Sequence, residues 1–467
     1  MALHEMNPVD AAWYHLDSPA NPAVVNALVS TRKPLDFERV KALFEQRLLR
    51  FDRFRQRVVE PTLGLGLPQW EDAADFEIER HLHHLAVPAP GDDAALRALL
   101  GELVSAPLPQ GQPLWQAYVI AGTAGGGALV LRYHHCIGDG LAMMTVAAAL
   151  FDSASQPQRL APSAVEPPAA PTGGLLVNAF EALLHPGQLA EAATQLAAGA
   201  RVLLGELLRP GDPASPFKGD FGPRQRVAWS APVPLAELKA IGRPFGAKLN
   251  DVLVAALAGA LGAYLTRRGL DPGRASLRAM VPVNLRPPER SAALGNEFGL
   301  VILELPVGEP DPQRRLAQAK ARMDALKRSP EAPAMQWLFR LFGHTPKAVE
   351  DLAQSIFGSK ASLVLSNVAG PQRRLYLAGV AVDRLMFWVP HPGDELGLGL
   401  SLISYHGQAW LGVITDARLV PDPESIAAAF NAGLAQLGML RTAAAGLSAT
   451  PPGRRRSAAP ARSGRRG

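Results

Sequence analysis

The sequence predicts a mixed α/β chain folded as two lobes, and three observations predict it. Residues 127–135 are an apolar, β-rich run that stops at a glycine-bearing turn and passes into a strong helix former over 141–151. Residues 156–174 carry five prolines among alanine and serine, the composition of a linker. Beyond residue 220, strand-like and helical runs alternate again to about residue 440. The expected division is an N-terminal lobe at 1–155, a Pro-rich linker and helical crossover at 156–219, a C-terminal lobe at 220–445 and a basic disordered tail at 446–467. A chain of 467 residues is long enough to bury two or three sizeable cores.

In the first lobe, residues 40–50 are amphipathic. Residues 115–120, the glycine-rich stretch 122–127 and residues 128–135 read together as a β-hairpin. Side chains alternate faces along a strand. Leu129, Leu131, Tyr133 and His135 therefore share one face, and Val130, Arg132 and His134 the other. The helix that follows starts at Asp139, where a carboxylate caps free backbone N–H groups. Gly138 and Gly140 permit positive φ there. Residues 175–208 turn helical, broken at His185-Pro186-Gly187, with apolar faces that suit packing between lobes or, alternatively, lying on a bilayer.

In the second lobe, Asn250 is a candidate N-cap for a helix. Residues 252–265 are 14 uninterrupted apolar positions, a length that suits a buried helix better than a membrane span. Residues 277–282 and 300–305 read as buried strands, and 363–367, 396–405 and 410–415 as further strands. His406-Gly407 is a hairpin turn between the last two, and 425–440 is a last amphipathic helix.

Composition excludes several function classes. The net charge is +5, yet Arg454, Arg455, Arg456, Arg462, Arg465 and Arg466 lie in the last 14 residues; without these six the remainder stands at −1. The body is not a nucleic-acid binder by charge. The tail suits anionic headgroups or has no role. Cys136 is the single cysteine, which rules out an internal disulfide framework and a Cys-based zinc site and fits a reducing compartment. Met1 to Tyr14 carries charges and no apolar core, so no signal peptide is expected. His81-Leu82-His83-His84 looks metal-like, but adjacent histidines on a strand diverge and no helical carboxylate–His motif accompanies them; no metal is expected. No Gly-x-Ser-x-Gly elbow occurs, which argues against a lipase.

The chemistry lies in His134-His135-Cys136-Ile137-Gly138-Asp139-Gly140. A histidine fixed where a strand ends titrates near pH ~6.5 and takes a proton at physiological pH. Strand alternation prevents both histidines from pointing into one pocket.

This HHxxxDG block resembles the CoA-dependent acyltransferase superfamily. Further segments are similar, in order, to the bacterial wax ester synthase/diacylglycerol acyltransferase family: Asn7-Pro8-Val9-Asp10, Pro113-Leu114-Trp115, Asn250-Asp251-Val252, Val281-Pro282-Val283-Asn284-Leu285-Arg286, Gly295-Asn296, Ser366-Asn367-Val368-Ala369-Gly370-Pro371, Leu375-Tyr376-Leu377-Ala378-Gly379 and Leu419-Val420-Pro421-Asp422-Pro423. The resemblance covers roughly residues 7–440. The chain departs from it at Pro109-Gln110-Gly111-Gln112, at residues 21–26 and at Ala369, which bears on the alcohol accepted.

The resemblance implies two chloramphenicol-acetyltransferase-like lobes with an active-site tunnel between them. It implies His135 as general base, His134 as a support, and Asp139 as a structural residue that pairs with an arginine and orients the turn. Arg286 is the candidate partner. Gly138, Gly140 and Asn250 shape the site. The expected reaction moves a fatty acyl group from acyl-CoA, a co-substrate with no other cofactor, to diacylglycerol or a long-chain alcohol. The alternatives are another alcohol or amine as acceptor, such as a polyketide or peptide intermediate, or a non-catalytic lipid-binding relative. Insoluble products imply a cytoplasmic protein in peripheral contact with the inner membrane or with lipid inclusions.

Overall fold

A computed structural model describes residues 3–19, 21–61, 66–155, 205, 208, 210–287, 294–329, 331–342, 358–391 and 395–448. The proline-rich linker, almost all of the stretch 175–208 expected to be helical, and the basic tail from residue 449 lie outside the described residues.

The first half runs β1 (Leu3–Glu5), α1 (Pro8–His15), β2 (Val24–Thr31), α2 (Phe37–Arg47), β3 (Gln56–Val59), β4 (Gln69–Asp72), β5 (Leu82–Ala86), α3 (Asp93–Ser105), β6 (Trp115–Thr123), β7 (Gly126–His134) and α4 (Gly140–Leu150). The second runs β8 (Gln225–Trp229), β9 (Val233–Pro234), α5 (Leu235–Gly242), α6 (Leu249–Arg267), β10 (Leu277–Asn284), β11 (Phe298–Leu305), α7 (Pro312–Leu326), α8 (Glu331–Phe342), β12 (Leu363–Ala369), β13 (Tyr376–Leu377), β14 (Val380–Trp388), β15 (Leu398–Tyr405), β16 (Gln408–Asp416) and α9 (Pro423–Ser448). The expected hairpins β6–β7 and β15–β16 are present. His406 and Gly407 both have positive φ, 47° and 78°, the conformation that a two-residue turn between twisted strands requires.

Two large sheets result. One has the order β13-β14-β2-β7-β6-β5; the other runs β11-β10-β12-β15-β16-β8, with β9 pairing β16. The division of the chain into contiguous lobes at 220–445 therefore needs correction. β13 and β14 come from the second half but complete the first sheet, where β14 pairs antiparallel with β2. No local periodicity announces which sheet a strand will join. The long apolar helix α6 is buried from Val252 to Leu265 apart from Gly259 and Ala263. It is the one described helix long and apolar enough to cross a membrane. Here it packs within the core of the second lobe, with Leu363, Leu365, Leu400 and Leu411.

Alternation along β12 connects core to site. Leu363 and Leu365 face the α6 core. Val364, Ser366 and Val368 face a cavity between the two sheets. Because β14 covers β2, a fragment of residues 1–155 would expose β2 as a free strand edge, a template for aggregation. That fragment is expected to aggregate on size exclusion; a soluble monomer with native-like circular dichroism would contradict the exchange of strands.

Candidate active site

The site is built where β7 ends. His134 is the last residue of β7, and His135–Ile137 make one turn of 3-10 helix before Gly138. This turn separates the two histidines. His134 Nδ1 accepts the backbone N–H of Cys136 at 3.1 Å, so its proton resides on Nε2, which faces the Asp17 carboxylate at 3.7 Å. His134 thus braces the turn from outside the cavity.

His135 turns the other way. Its ring stacks on Trp13 of α1, with centroids 3.9 Å apart and planes 12° apart, and Phe298 approaches at 5.9 Å. Its backbone N–H donates to the Ala23 carbonyl at 2.8 Å. The residue is 8% exposed and lines a cavity of about 140 Å³. Tyr133 and Val25 from the first sheet, Met280, Pro282, Phe298, Val364 and Ser366 from the second, and Phe387 of the exchanged β14 complete much of the wall. The expected tunnel is thus a cavity between the sheets. It is smaller than the roughly 300–1,000 Å³ typical of a pocket that holds a whole small ligand. Burial pushes the His135 pKa down to about 4, against the Asp139 carboxylate, which pulls it up. The ring is therefore neutral at physiological pH and able to accept a proton.

Asp139 is fully committed to structure. Its Oδ1 accepts the N–H groups of Leu141 and Ala142 at 3.0 and 2.9 Å, capping α4. Its Oδ2 accepts from Arg286 Nη2 at 2.9 Å and from the Glu297 N–H at 3.0 Å. The same Arg286 nitrogen donates to the Gly295 carbonyl at 2.7 Å. Gly295 in turn accepts from the Asp139 N–H and donates its own to Ile137. The arginine expected from the sequence is thus the one found, and it clamps residues 295–297 onto the heptad turn.

The structure refines three sequence readings. Gly138 has φ 169° and ψ 162°, extended backbone open to any residue, and Gly140 is the first residue of α4; neither uses the positive φ that glycine permits. Both are glycine for space. A Cβ on Gly138 would lie 2.7 Å from the Ala142 Cβ, and one on Gly140 would lie 3.2 Å from Val368 Cγ2. Asn250 is not the helix cap. Lys248 holds that position, with Asp251 Oδ2 accepting its N–H at 2.7 Å. Asn250 instead accepts from Asn367 Nδ2 at 2.8 Å and meets the cavity only through Asn367, which lines it.

Trp13, Ser366, Asn367, Asp10 and Asn296 went unassigned in the sequence, although all but Trp13 stand in segments that carry the family resemblance. Cys136 is buried, with desolvation raising its thiol pKa well above its ordinary value, which does not suit a nucleophile. His81 Nδ1 donates to the Trp115 carbonyl at 2.8 Å. His83 stands beside Tyr118 and His84 beside Phe37. Among the described residues no cluster of three or more His, Cys, Asp or Glu is placed to hold a metal.

Residues 6–253 match the wax ester synthase/diacylglycerol acyltransferase catalytic domain, which contains the heptad. The chain belongs to that family. Residues 294–438 match its C-terminal domain. The chain is 29% identical to the probable diacylglycerol O-acyltransferase tgs1 of Mycobacterium tuberculosis H37Rv over 86% of its length and 88% of the relative's. Its fold is similar to that of a wax ester synthase/diacylglycerol acyltransferase from Marinobacter aquaeolei VT8, with a TM-score of 0.69 and 21% identity over 94% of this chain and 100% of that one. It is also similar to the starter condensation domain of rhizomide synthetase, a TM-score of 0.58 at 14% identity, covering 94% of each chain.

Two outcomes follow from this geometry. Asp139→Asn leaves the Arg286 charge buried without its counter-ion; breaking a buried pair costs about 3–5 kcal/mol, so the melting temperature should fall together with activity. Activity loss with unchanged melting would assign Asp139 to the chemistry instead. The second outcome concerns pH. A base works only when neutral, hence above its pKa. With the His135 pKa near 4, kcat/KM should stay flat as pH falls from 7 through 5.5. A decline centred near pH ~6.5, the free imidazole value, would show that the ring is solvated.

Proposed function

We propose that the chain transfers a fatty acyl group from acyl-CoA to diacylglycerol or a long-chain alcohol, with His135 as the general base. Family membership makes it an O-acyltransferase of the diacylglycerol acyltransferase/wax ester synthase type. The observation that carries the residue assignment is the neutral, Trp13-stacked His135 ring in the wall of a cavity shared by both sheets.

The alcohol O–H gives its proton to the imidazole as its oxygen attacks the thioester carbonyl. The tetrahedral oxyanion collapses with cleavage of the C–S bond, and the imidazolium returns the proton to the leaving thiolate. The products are an ester and free CoA, and no cofactor is consumed. General-base help is worth roughly 10²–10⁴-fold. Asn284, Ser366 and Asn367 are the polar side chains that the second sheet brings to the cavity, available to the oxyanion, where one donor is worth about 10²–10³-fold. The apolar wall favours lipid chains over polar acceptors, and a starter condensation domain of related fold binds C8-CoA.

The reading places the protein in the cytoplasm, at the inner membrane or lipid-inclusion surface, because neither acceptor nor product dissolves in water. With palmitoyl-CoA, free CoA should appear with diacylglycerol and hexadecanol far faster than with a small alcohol. His135→Ala, folded by circular dichroism, should abolish it. Equal turnover by that variant refutes the base assignment; turnover with small alcohols or amines alone refutes the lipid acceptor.

A further inference from the structure

Trp13 lies unusually close over the His135 ring. The centroids are 3.9 Å apart and the planes 12° apart, against roughly 4.5–7 Å for ordinary aromatic pairs. Phe298 meets the same imidazole only at a tilt, 5.9 Å away. Trp13 is buried and also lines the cavity. Its indole Nε1 is buried with no hydrogen-bond partner among the described residues. A buried donor without an acceptor is costly, and phenylalanine would fill much of the same space with no N–H to satisfy. What tryptophan adds is the stronger π face for a cation.

The spacing of the two rings is fixed from behind. Asp10 and Trp13 stand three residues apart on α1 and share a face. Asp10 is fully buried. Its Oδ1 accepts both the backbone N–H and the side-chain Nδ2 of Asn296, each at 2.8 Å. Asn296 Nδ2 donates in turn to the His135 backbone carbonyl at 2.8 Å. These bonds fasten α1 to the turn that bears His135, so the indole stays over the imidazole.

In the acyl-transfer scheme the imidazole becomes a cation in a buried place. Among the described residues no carboxylate hydrogen-bonds the ring; both oxygens of Asp139 are taken by Leu141, Ala142, Glu297 and Arg286. We propose that the π face of Trp13 stands in for that counter-ion, stabilising the positive charge that His135 acquires as it accepts the alcohol proton and gives up as the proton passes to the thiolate. The attraction is weak while the ring is neutral and strong once it is charged, so it favours the transition state over the ground state. Trp13 thus acts on the reaction through His135. This rests on the acyl-transfer reading and adds the group that supports the base in its charged form.

The test is a series of tryptophans with zero, one, two and three fluorines on the benzo ring, incorporated at position 13 alone. Fluorine drains the π face and leaves the shape of the ring nearly unchanged. With palmitoyl-CoA and the better of diacylglycerol and hexadecanol, log kcat should fall in step with fluorine number, by about 10-fold at three, while KM for palmitoyl-CoA changes less than about twofold. Trp13→Leu, which removes the face, should lower kcat by about 30-fold, and Trp13→Phe by less. A flat fluorine series overturns the proposal, because a ring needed only for packing tolerates fluorine. A rising series overturns it as well, because fluorine makes the indole N–H a better donor and would then reveal a hydrogen bond to substrate. Should Trp13→Leu fail to fold, the fluorine series decides alone. A flat series with His135→Ala inactive removes this proposal only. Turnover unchanged in His135→Ala, or no CoA release by the wild type with any alcohol, removes the acyl-transfer reading beneath it.

Discussion

The buried ion pair between Asp139 and Arg286 makes one site out of two halves of the chain. Taking two charges out of water costs several kcal/mol for each ion, and the pair persists because neither member relies on the other alone. Asp139 accepts four hydrogen bonds, two from the start of α4, one from Glu297 and one from Arg286. Arg286 also binds the Gly295 carbonyl. The pair thus fastens residues 295–297 against the turn that carries His135, and Asn296 and its contact with Asp10 follow from that closure.

Burial acts on His135, the proposed base, in two opposite ways. Desolvation lowers its pKa to about 4, which weakens it as a proton acceptor. The same burial keeps the ring neutral at physiological pH, and in the proposed mechanism donors to the oxyanion would act in a medium of low dielectric. Stacking on Trp13 and the backbone bond to Ala23 hold the turn and its ring without touching the ring nitrogens. These contacts are neutral, and the Asp139–Arg286 pair stabilises the loop that follows.

Much of this was legible in the sequence because it is local. The β-rich run ending in the heptad, the Asp139 cap and the hairpins at 122–127 and 406–407 all depend on neighbours within a few residues; His134 and His135 do part, but because β7 stops at His134 and His135 opens a 3-10 turn, and not by strand parity. Arg286 was legible through the family resemblance. The exchange of β13 and β14 into the first sheet was not, since strand composition does not encode the partner. Gly138 and Gly140 were recognised as residues that leave room, but the neighbours that crowd them, Ala142 and Val368, exist only after packing. Asn250 has good cap chemistry, but the helix begins earlier, at Leu249 after Lys248. Asp10 and Asn296 meet across 286 positions, a distance at which a single sequence gives no signal beyond the two short segments that contain them.

The most direct measurement is a structure of the protein with a thioether analogue of palmitoyl-CoA, which cannot be cleaved. The account predicts the pantetheine arm in the cavity between the sheets, with the carbon that stands for the thioester carbonyl within about 4–5 Å of His135 Nε2, leaving room for one alcohol oxygen at hydrogen-bond distance from the ring. An analogue bound elsewhere, with the His135 ring still closed off by Trp13 and Phe298, would contradict it.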